Sequence, residues 1–475
     1  MLPRRIALLA SIALIAGAGI SGAAKADEPF DATCAGAAPS AVICVGAEKA
    51  SEGAAAACRR GGPEDACATA TPAGRDVRPS KLAAYQKSWL HRAAAYQFRL
   101  GDPVAFRDAQ WLGSHNSFNA NANGPTLSHA DSNQQLTLTQ QLDGDIRSLE
   151  LDVHLVAGVL RVCHARPAAE GHAGCSTEDD LATVLKEIEA WLEDNPGQVI
   201  LLYLEDHVGD AGYAAAKKAL DEQLPGRVYT PASEPAPGPA TDCAELPLEL
   251  SRAAVARAGK QVVLVGKCRA GWSSHVFGWT DNNEVEAGNS TDYTCDKPFG
   301  AEDYATKMVR FFEDGTWLAT GLAPRENMAA NRARRLTPDK VAVMVRCGVN
   351  LFGFDHFDPN DGRVAASIWS WAPDEPKRAA GDCTVQRDDT RWYAAACTGT
   401  VRPAACRTAT GWTLSRAVAA PAAARACKAA GGRYEPPRTG EQNAALRAVA
   451  GGAEPWLATS LKRPRKSRER RSHHH

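Results

Sequence analysis

The stretch QVILLYLEDH (residues 198–207) is a short apolar run that ends abruptly in two carboxylates and a histidine. Runs of this kind, rich in leucine and branched residues and bounded by polar ones, are typical of β-strands. Four further stretches share the composition and the polar end: AQWLGSHN (109–116), IRSLELDVHL (146–155), QVVLVGKC (261–268) and VNLFGFDHF (349–357). The chain therefore contains a set of similar predicted strands.

Helical patterns separate these strands. Between residues 176 and 197, leucine and isoleucine recur at helical spacing, with Ser176 as the predicted N-terminal cap and an Asn-Pro-Gly end. Residues 337–348 predict a second helix capped by Thr337. Residues 82–100 carry aromatic and leucine side chains along one stripe and predict a single helix before the first strand.

Strands and helices alternate from about residue 100 to residue 375, which predicts a parallel α/β fold. A (β/α)₈ TIM-type barrel needs roughly 250 residues, and this window supplies them. A doubly wound sheet would need a glycine-rich phosphate turn after its first strand, and the sequence has none there. We therefore expect a (β/α)₈ barrel with small disulfide-stapled additions at both ends.

The ends of the chain differ in composition from this window. Residues 1–26 combine a basic start, an apolar segment and small residues, which predicts a cleaved secretory signal peptide and a secreted, periplasmic or cell-surface location. We expect a cysteine-containing extension over 27–95, the barrel over 96–376, a cysteine-rich region over 377–460 and a basic disordered tail over 461–475. All 14 cysteines follow the signal peptide, which favours up to seven disulfides in an exported protein.

Charge and hydropathy limit the partners. The formal net charge of -1 produces no global field that would attract nucleic acid, and we expect no nucleic-acid partner. No second long apolar segment follows the signal peptide, so we expect no transmembrane anchor after processing. We expect the mature chain to act as a monomer.

Polar side chains recur where the predicted strands end. They are His115, Asn116, Glu150, Asp152, His164 and Glu205. In a parallel barrel such ends converge on one mouth. Each residue alone could be a satisfied polar group or a salt-bridge partner. Glu150 and Asp152, however, share one face of a strand, and two such carboxylates require a cation or a shared proton. Oxygen ligands of this kind suit Ca²⁺, and two histidines beside them could supply a base and an acid.

Taken in order, these motifs resemble the X region of phosphoinositide-specific phospholipases C. The shared features are His-Asn after the first strand, Glu-x-Asp on the second, Val-Cys-His just beyond it and Leu-x-Leu-Glu-Asp-His on a later strand. The resemblance runs from Trp111 to His207 and continues more weakly to Asp355. It implies Ca²⁺ ligation by Asn116, Glu150, Asp152 and Glu205, with His115 and His164 flanking the phosphate.

The same resemblance implies the metal dependence and two further residues. The metal-free bacterial enzymes of this family carry an arginine where this chain has Asp152, so the resemblance implies the calcium-dependent type. Lys267 resembles a lysine that binds the substrate phosphate. Asp355 occupies a final-strand position where the superfamily often has a polar site residue, and a structural role is equally open.

The resemblance implies a secreted, calcium-dependent phosphodiesterase that cleaves a phospholipid head-group diester at a membrane surface. Phosphatidylinositol is the expected substrate, giving diacylglycerol and a cyclic or linear inositol phosphate. His164 would protonate the leaving oxygen, while the general base stays open between His115 and Glu205. The alternatives are a glycerophosphodiester-type enzyme, disfavoured because His115-Asn116-Ser117 replaces its His-Arg-Gly, another diesterase, or an inactive binding protein on the same barrel.

One more resemblance concerns the cysteine-rich C-terminal region. Trp412, Cys427, Asn443 and Trp456 are spaced as in the first half of a C-type-lectin-like fold. The second half and its sugar-binding acidic motifs are missing from the sequence. We interpret the region as a stapled structural appendage, with surface attachment as the second interpretation.

Overall fold

The computed structural model describes residues 79–120, 132–164, 179–231, 244–266, 272–278, 284–286, 308–313, 335–459 and 461. The chain divides into two compact units, one ending at Ser367 and one beginning at Ile368. The predicted signal peptide and all but the first residue of the predicted basic tail lie outside the described residues, as does most of the N-terminal extension.

The first unit is built on one sheet. In the described part of the chain its strands are β1 (Trp111–Ser114), β2 (Ser148–Val156), β3 (Val159–Val162), β4 (Ile200–His207), β5 (Val228–Tyr229), β6 (Val262–Gly266), β7 (Phe277–Gly278), β8 (Glu284–Glu286), β9 (Met308–Phe312) and β10 (Leu351–Phe354). Their order is β5-β6-β4-β2-β1-β10-β9-β8, with β3 added to β2 and β7 added to β6. All pairs are parallel except the β2–β3 hairpin.

This strand order is that of a β/α barrel. The first strand pairs with the last strand of this unit, since Trp111 lies opposite Leu351 and Ser114 opposite Phe354. On one side β2, β4 and β6 follow in chain order, with β5 at the edge beyond β6, and on the other side β9 and then β8 lie next to β10. Gly113 allows the close approach of β1 and β10, because a Cβ atom there would lie 2.7 Å from the carbonyl oxygen of Phe352. The predicted parallel α/β barrel and its five predicted strands are confirmed.

In the described part of the chain, helices precede, connect and follow the strands, and those between parallel strands belong to the crossovers. They are α1 (Pro79–Lys87), α2 (Trp89–Leu100), α3 (Leu138–Asp143), α4 (Leu181–Asp194), α5 (Gly209–Gln223), α6 (Arg252–Arg257), α7 (Pro338–Arg346) and α8 (Arg363–Ser367). The helix predicted around residues 337–348 is confirmed as α7, and the Thr337 hydroxyl accepts the Lys340 N–H as its cap.

Two helix predictions were wrong in detail. The single helix expected over 82–100 is two helices, because Ser88 adopts an extended conformation and caps α2 by accepting the His91 N–H at 3.2 Å. The helix expected to start near Ser176 begins at Leu181, and its cap is Asp180, whose carboxylate accepts the Thr183 N–H at 2.7 Å. In both cases the polar side chain directly before the helix, Ser88 or Asp180, accepts an N–H group of the first turn and so sets where the helix begins.

The hydrophobic core of the barrel forms around the inner strands. Trp111 is fully buried and meets Phe98 of α2 and Phe106 edge to face. Val199, Leu201, Val263 and Val265 belong to the same buried cluster. The helix α2 that precedes the first strand thus packs on the barrel rather than forming a separate layer.

The second unit is a small mixed structure. Its elements are β11 (Cys383–Gln386), β12 (Trp392–Ala395), β13 (Ala405–Arg407), β14 (Trp412–Leu414), α9 (Ala423–Ala429), α10 (Gly440–Ala450) and β15 (Trp456–Leu457). Strands β12-β11-β15 form one antiparallel sheet, and β13 pairs with β14. Disulfides join Cys383 to Cys397 and Cys406 to Cys427. The lectin-like resemblance of this unit stays a prediction.

Other predictions concern redox state and membranes. Cys163 and Cys347 of the first unit are also disulfide-bonded, and no cysteine among the described residues is free. In the part of the chain that the structure describes, no helix combines the length and the apolar character needed to cross a bilayer.

Candidate active site

Strands β2 and β4 form the framework of the site. Their parallel register places Glu150 opposite Tyr203, Asp152 opposite Glu205 and His154 opposite His207. Because alternate residues of a strand share a face, these three pairs line one face of the sheet. Carboxylate oxygens of Glu150, Asp152 and Glu205 all lie within 4.8 Å of one another. We call these three residues the carboxylate cluster.

The carboxylate cluster is short of positive charge. Burial raises the pKa of Asp152 well above its ordinary value, and the neighbouring charges of Glu205 and Glu150 raise this pKa further. His115 and Arg310 act in the opposite direction on it. Buried carboxylates this close together need a bound cation or a shared proton. The cluster is therefore suited to hold a metal ion.

Arg310 is a site residue that the sequence analysis missed. It lies on β9, and its Nη2 donates to Glu150 Oε1 at 2.9 Å. Its guanidinium lies over the rings of Tyr203 and Phe312, 4.8 and 4.6 Å from their centroids. The signal was present, because MVRFF (308–312) is an apolar run with one arginine inside it. Such a short run was not recognised as a strand.

Asn116 reaches the cluster from the end of β1. Its backbone is left-handed, with φ 44°, which asparagine tolerates, and its N–H donates to Glu150 Oε2 at 3.2 Å. In one amide orientation Nδ2 donates to Asn133 Oδ1 at 3.2 Å, and the amide oxygen then faces Asp152. In the other, Nδ2 donates to the two Asp152 carboxylate oxygens at 3.2 and 3.1 Å. The first orientation presents an oxygen ligand, and the second satisfies Asp152 without a cation.

His115 is held by a carboxylate from the last strand of the barrel. Its Nδ1 lies 3.0 Å from Asp355 Oδ1, and both side chains are largely buried. Asn133 Nδ2 donates to the same Asp355 oxygen at 3.2 Å. The Gln134 side chain donates to the carbonyl oxygens of His115 and Phe354, at 2.6 Å each. The orientation of the His115 imidazole is thus set by hydrogen bonds that link the segment after β1 to the segment after β10.

Asp355 is itself positioned by Glu313. The Asp355 N–H donates to Glu313 Oε2 at 2.6 Å, and the same oxygen accepts Arg363 Nη1 at 2.6 Å. Glu313 Oε1 accepts the Leu336 N–H at 2.6 Å. Asp355 therefore holds His115 in place and is itself held by Glu313, whose side chain is buried. A role of Asp355 in binding substrate stays a prediction.

The remaining predicted residues are placed as follows. Glu205 belongs to the carboxylate cluster, and its Oε1 lies 2.9 Å from Nε2 of His207, which stacks on His154 with centroids 4.3 Å apart. His164 is half-buried and follows Cys163, whose N–H donates to the Asp152 carbonyl at 3.1 Å. Lys267 lies outside the described residues. The histidine pair of β2 and β4 was not predicted as part of the site.

The donor set decides what the site can hold. Three carboxylates, joined by the Asn116 amide oxygen in the first of its two orientations, are ligands suited to a hard divalent cation. A histidine bonded to a carboxylate stands beside them, which is an arrangement that stabilises a protonated imidazole. Metal binding and proton transfer can therefore occur at one place on the sheet.

Comparisons with known proteins give a family match and several similar proteins. The family model of the Rv2075c PI-PLC-like domain matches residues 71–361. The protein Rv2075c of Mycobacterium tuberculosis (strain ATCC 25618 / H37Rv) is 46% identical over 444 residues, 89% of this chain and 90% of that protein. A PI-PLC X domain-containing protein of Arabidopsis thaliana is 33% identical over 110 residues, 22% of this chain and 25% of its own length. The solved phosphatidylinositol-specific phospholipase C of Listeria monocytogenes is 16% identical, covering 56% of this chain and 95% of its own, with a TM-score of 0.38.

Proposed function

This chain belongs to the family of the Rv2075c PI-PLC-like domain, and on that premise we propose that it is an exported, calcium-dependent phosphodiesterase. Its proposed substrate is the head-group diester of a phospholipid, with phosphatidylinositol as the first candidate. The observation that carries the proposal is the meeting of the carboxylate cluster with the His115–Asp355 pair at one edge of a β/α barrel.

Calcium fits the residues present. The cluster offers only oxygen donors, and the raised pKa of Asp152, caused by burial and by Glu205 and Glu150, marks an excess of negative charge. Glu150, Asp152, Glu205 and the Asn116 amide oxygen would hold the ion. When bound, it supplies Lewis acidity to a phosphoryl oxygen and lowers the pKa of a coordinated hydroxyl.

The protein's own residues perform the proton transfers. We assign the general base to His115: its Nε2 takes the proton of the inositol 2-hydroxyl as that oxygen bonds to phosphorus and the bond from phosphorus to the glycerol oxygen breaks. Asp355 at Nδ1 stabilises the imidazolium that forms. Glu205 acts as a metal ligand in the carboxylate cluster and not as the general base. Arg310 offsets the charge of Glu150 and adds a fixed cation near the reacting phosphate. His164 protonates the leaving glycerol oxygen.

The described disulfides support the proposed export. Paired cysteines occur in both units, and disulfides persist in oxidising compartments. Together with the signal-peptide pattern of residues 1–26, they support a substrate outside the cytoplasm, at a membrane surface.

The test measures inositol phosphate release from phosphatidylinositol vesicles, with Ca²⁺ and with a chelator. We expect release only with Ca²⁺, and a loss of about 10²–10⁴-fold in kcat/KM for His115→Ala and for His164→Ala. The matched control is His275→Ala, since that histidine contacts Asp221 of α5 and not the cluster.

The outcomes separate the alternatives. Full activity in His115→Ala, or equal activity in chelator, would contradict the proposal. Turnover of glycerophosphodiesters in place of phosphatidylinositol would favour the glycerophosphodiester-type enzyme. Calcium-dependent binding without turnover of any diester would indicate a binding protein on the same barrel.

A further inference from the structure

The charges of this chain are segregated along the sequence. Residues 27–367 contain 32 lysines and arginines against 46 aspartates and glutamates, a formal charge of -14. Residues 368–475 contain 19 basic against 9 acidic residues, a formal charge of +10. The overall value of -1 therefore hides two regions of opposite sign.

The basic character extends into the folded part of the second unit. No aspartate or glutamate occurs between Asp389 and Glu435. The same stretch holds seven basic residues: Arg391, Arg402, Arg407, Arg416, Arg425, Lys428 and Arg433. The unit's positive charge is thus not confined to the tail.

Four of these residues surround one disulfide. Arg407 follows Cys406, and its backbone exchanges hydrogen bonds with Arg433 at 2.7 and 2.8 Å. Arg425 and Lys428 lie three residues apart on α9, beside Cys427, and share a face of that helix. Arg425, Lys428 and Arg433 are exposed, and Arg433 also pairs with Glu435 at 2.7 Å. We call Arg407, Arg425, Lys428 and Arg433 the basic patch.

A diesterase that acts on an anionic phospholipid must approach a negatively charged surface. The acidic region that contains the active site is repelled by such a surface, and only charges within about 8 Å of it act strongly at physiological salt. Each lysine or arginine near an anionic bilayer contributes about 1 kcal/mol of attraction, equivalent to roughly a fivefold change in partitioning. A basic region on the same chain can supply the missing attraction.

We propose that the second unit binds anionic phospholipid surfaces through the basic patch. This inference rests on the proposed function for the choice of a lipid surface over other polyanions. The basic patch attracts the chain to the bilayer, while the carboxylate cluster and the histidines beside it act on the diester.

The experiment measures co-flotation of the full-length protein with vesicles in chelator, where no turnover occurs. Vesicles of phosphatidylcholine alone are compared with vesicles that also contain phosphatidylglycerol, an anionic lipid without inositol. We expect binding to the anionic vesicles only, weakened by added salt. Arg425→Glu combined with Lys428→Glu should lower the partition coefficient about tenfold or more.

Matched variants separate this inference from the proposed function. Lys217→Glu with Lys218→Glu makes the same change in charge on α5 of the acidic region, at exposed positions, and should leave binding unchanged. His115→Ala should also bind as the wild type does, even if it has lost turnover. Loss of turnover with intact binding would therefore count against the proposed function alone.

Three results would overturn the inference. The first is equal binding to vesicles with and without phosphatidylglycerol, and the second is unchanged binding after the double substitution on α9. The third is tighter binding to a double-stranded DNA fragment than to the anionic vesicles at the same salt, which would make nucleic acid the partner. Circular dichroism and thermal unfolding of each variant establish that the second unit is folded.

Discussion

Two acidic clusters in the same barrel, one around Glu313 and the other the carboxylate cluster, have opposite electrostatic character. Around Glu313, every carboxylate oxygen accepts a donor, from the N–H groups of Leu336 and Asp355 and from Arg363. Arg363 also binds Asp361 and the His356 carbonyl. The carboxylate cluster has three acids and, among the described residues, one arginine paired with them, Arg310. The Asn116 N–H contacts Glu150, and His207 contacts Glu205. Acidity alone therefore does not distinguish a structural cluster from a functional one, whereas the balance of donors does.

The titration behaviour of the two clusters agrees with this difference. Burial alone would lower the pKa of Arg363, but Glu313 and Asp361 raise it overall, so this arginine stays charged. Burial and like charges raise the pKa of Asp152. The Glu313 cluster neutralises its own charges through Arg363. The carboxylate cluster keeps an excess of negative charge, which a bound cation or proton would offset. Substitutions that break each cluster should therefore respond differently to Ca²⁺.

The largest effect on stability is expected at Arg363. Arg363→Met leaves Glu313 buried without its cation, and breaking a buried pair costs about 3–5 kcal/mol of unfolding free energy. Denaturant unfolding measures this loss, which should be the same with Ca²⁺ and with chelator. A loss that Ca²⁺ restores would show that the Glu313 cluster also binds metal and would remove the distinction.

Arg310→Met should lower stability by less than Arg363→Met does, and it should also raise calcium affinity. In chelator the variant should lose about 2–4 kcal/mol, because Glu150 loses its cation while Asp152 and Glu205 remain close. Calcium affinity, measured by calorimetry, should rise about tenfold, since a competing positive charge is gone. Weaker calcium binding in this variant would mean that Arg310 positions the ligands instead of competing with the ion.

Asp152→Asn should stabilise the metal-free protein while abolishing calcium binding. One carboxylate fewer relieves the crowding, by about 1–3 kcal/mol at neutral pH. The gain depends on pH because the folded-state pKa of Asp152 is raised. Below about pH 4, the unfolded value, Asp152 is protonated in both states and the two proteins should be equally stable. The wild type should then lose stability relative to the variant as pH rises towards the folded-state pKa.

Thermal unfolding in chelator across this pH range checks the sign. A stability difference that is largest at acidic pH would contradict the assignment of Asp152 as the charge-stressed group. Equal calcium affinity in the variant and the wild type would remove Asp152 from the ligands.

The smallest effect is expected for Asp361→Asn. Its side chain is 28% exposed, and Arg363 keeps Glu313 as its buried partner. We expect a loss of about 1 kcal/mol in unfolding free energy, with no dependence on Ca²⁺. A loss as large as that of Arg363→Met would place the strength of that cluster in Asp361 instead of Glu313.

Several parts of the candidate site could be anticipated from local patterns. Glu150 and Asp152 share a face because strand side chains alternate, and a parallel barrel gathers strand ends, so their meeting with Glu205 was expected. Arg310 and Glu313 could not be found in this way. Arg310 lies on β9, a run of five residues, and Glu313 directly follows that strand. The partners of both residues lie far away in sequence.

The sequence by itself determined the alternation of strands and helices, the order of the acidic and histidine motifs, and the separation of charge between the two regions. These properties follow from composition and short-range spacing. Only the tertiary structure decided that Asp355 contacts the His115 imidazole, that Glu313 accepts the Asp355 N–H, and that Arg310 pairs with Glu150. Which donors reach a buried carboxylate depends on strand neighbours in space, because hydrogen bonds and ion pairs act over a few ångströms and not along the chain.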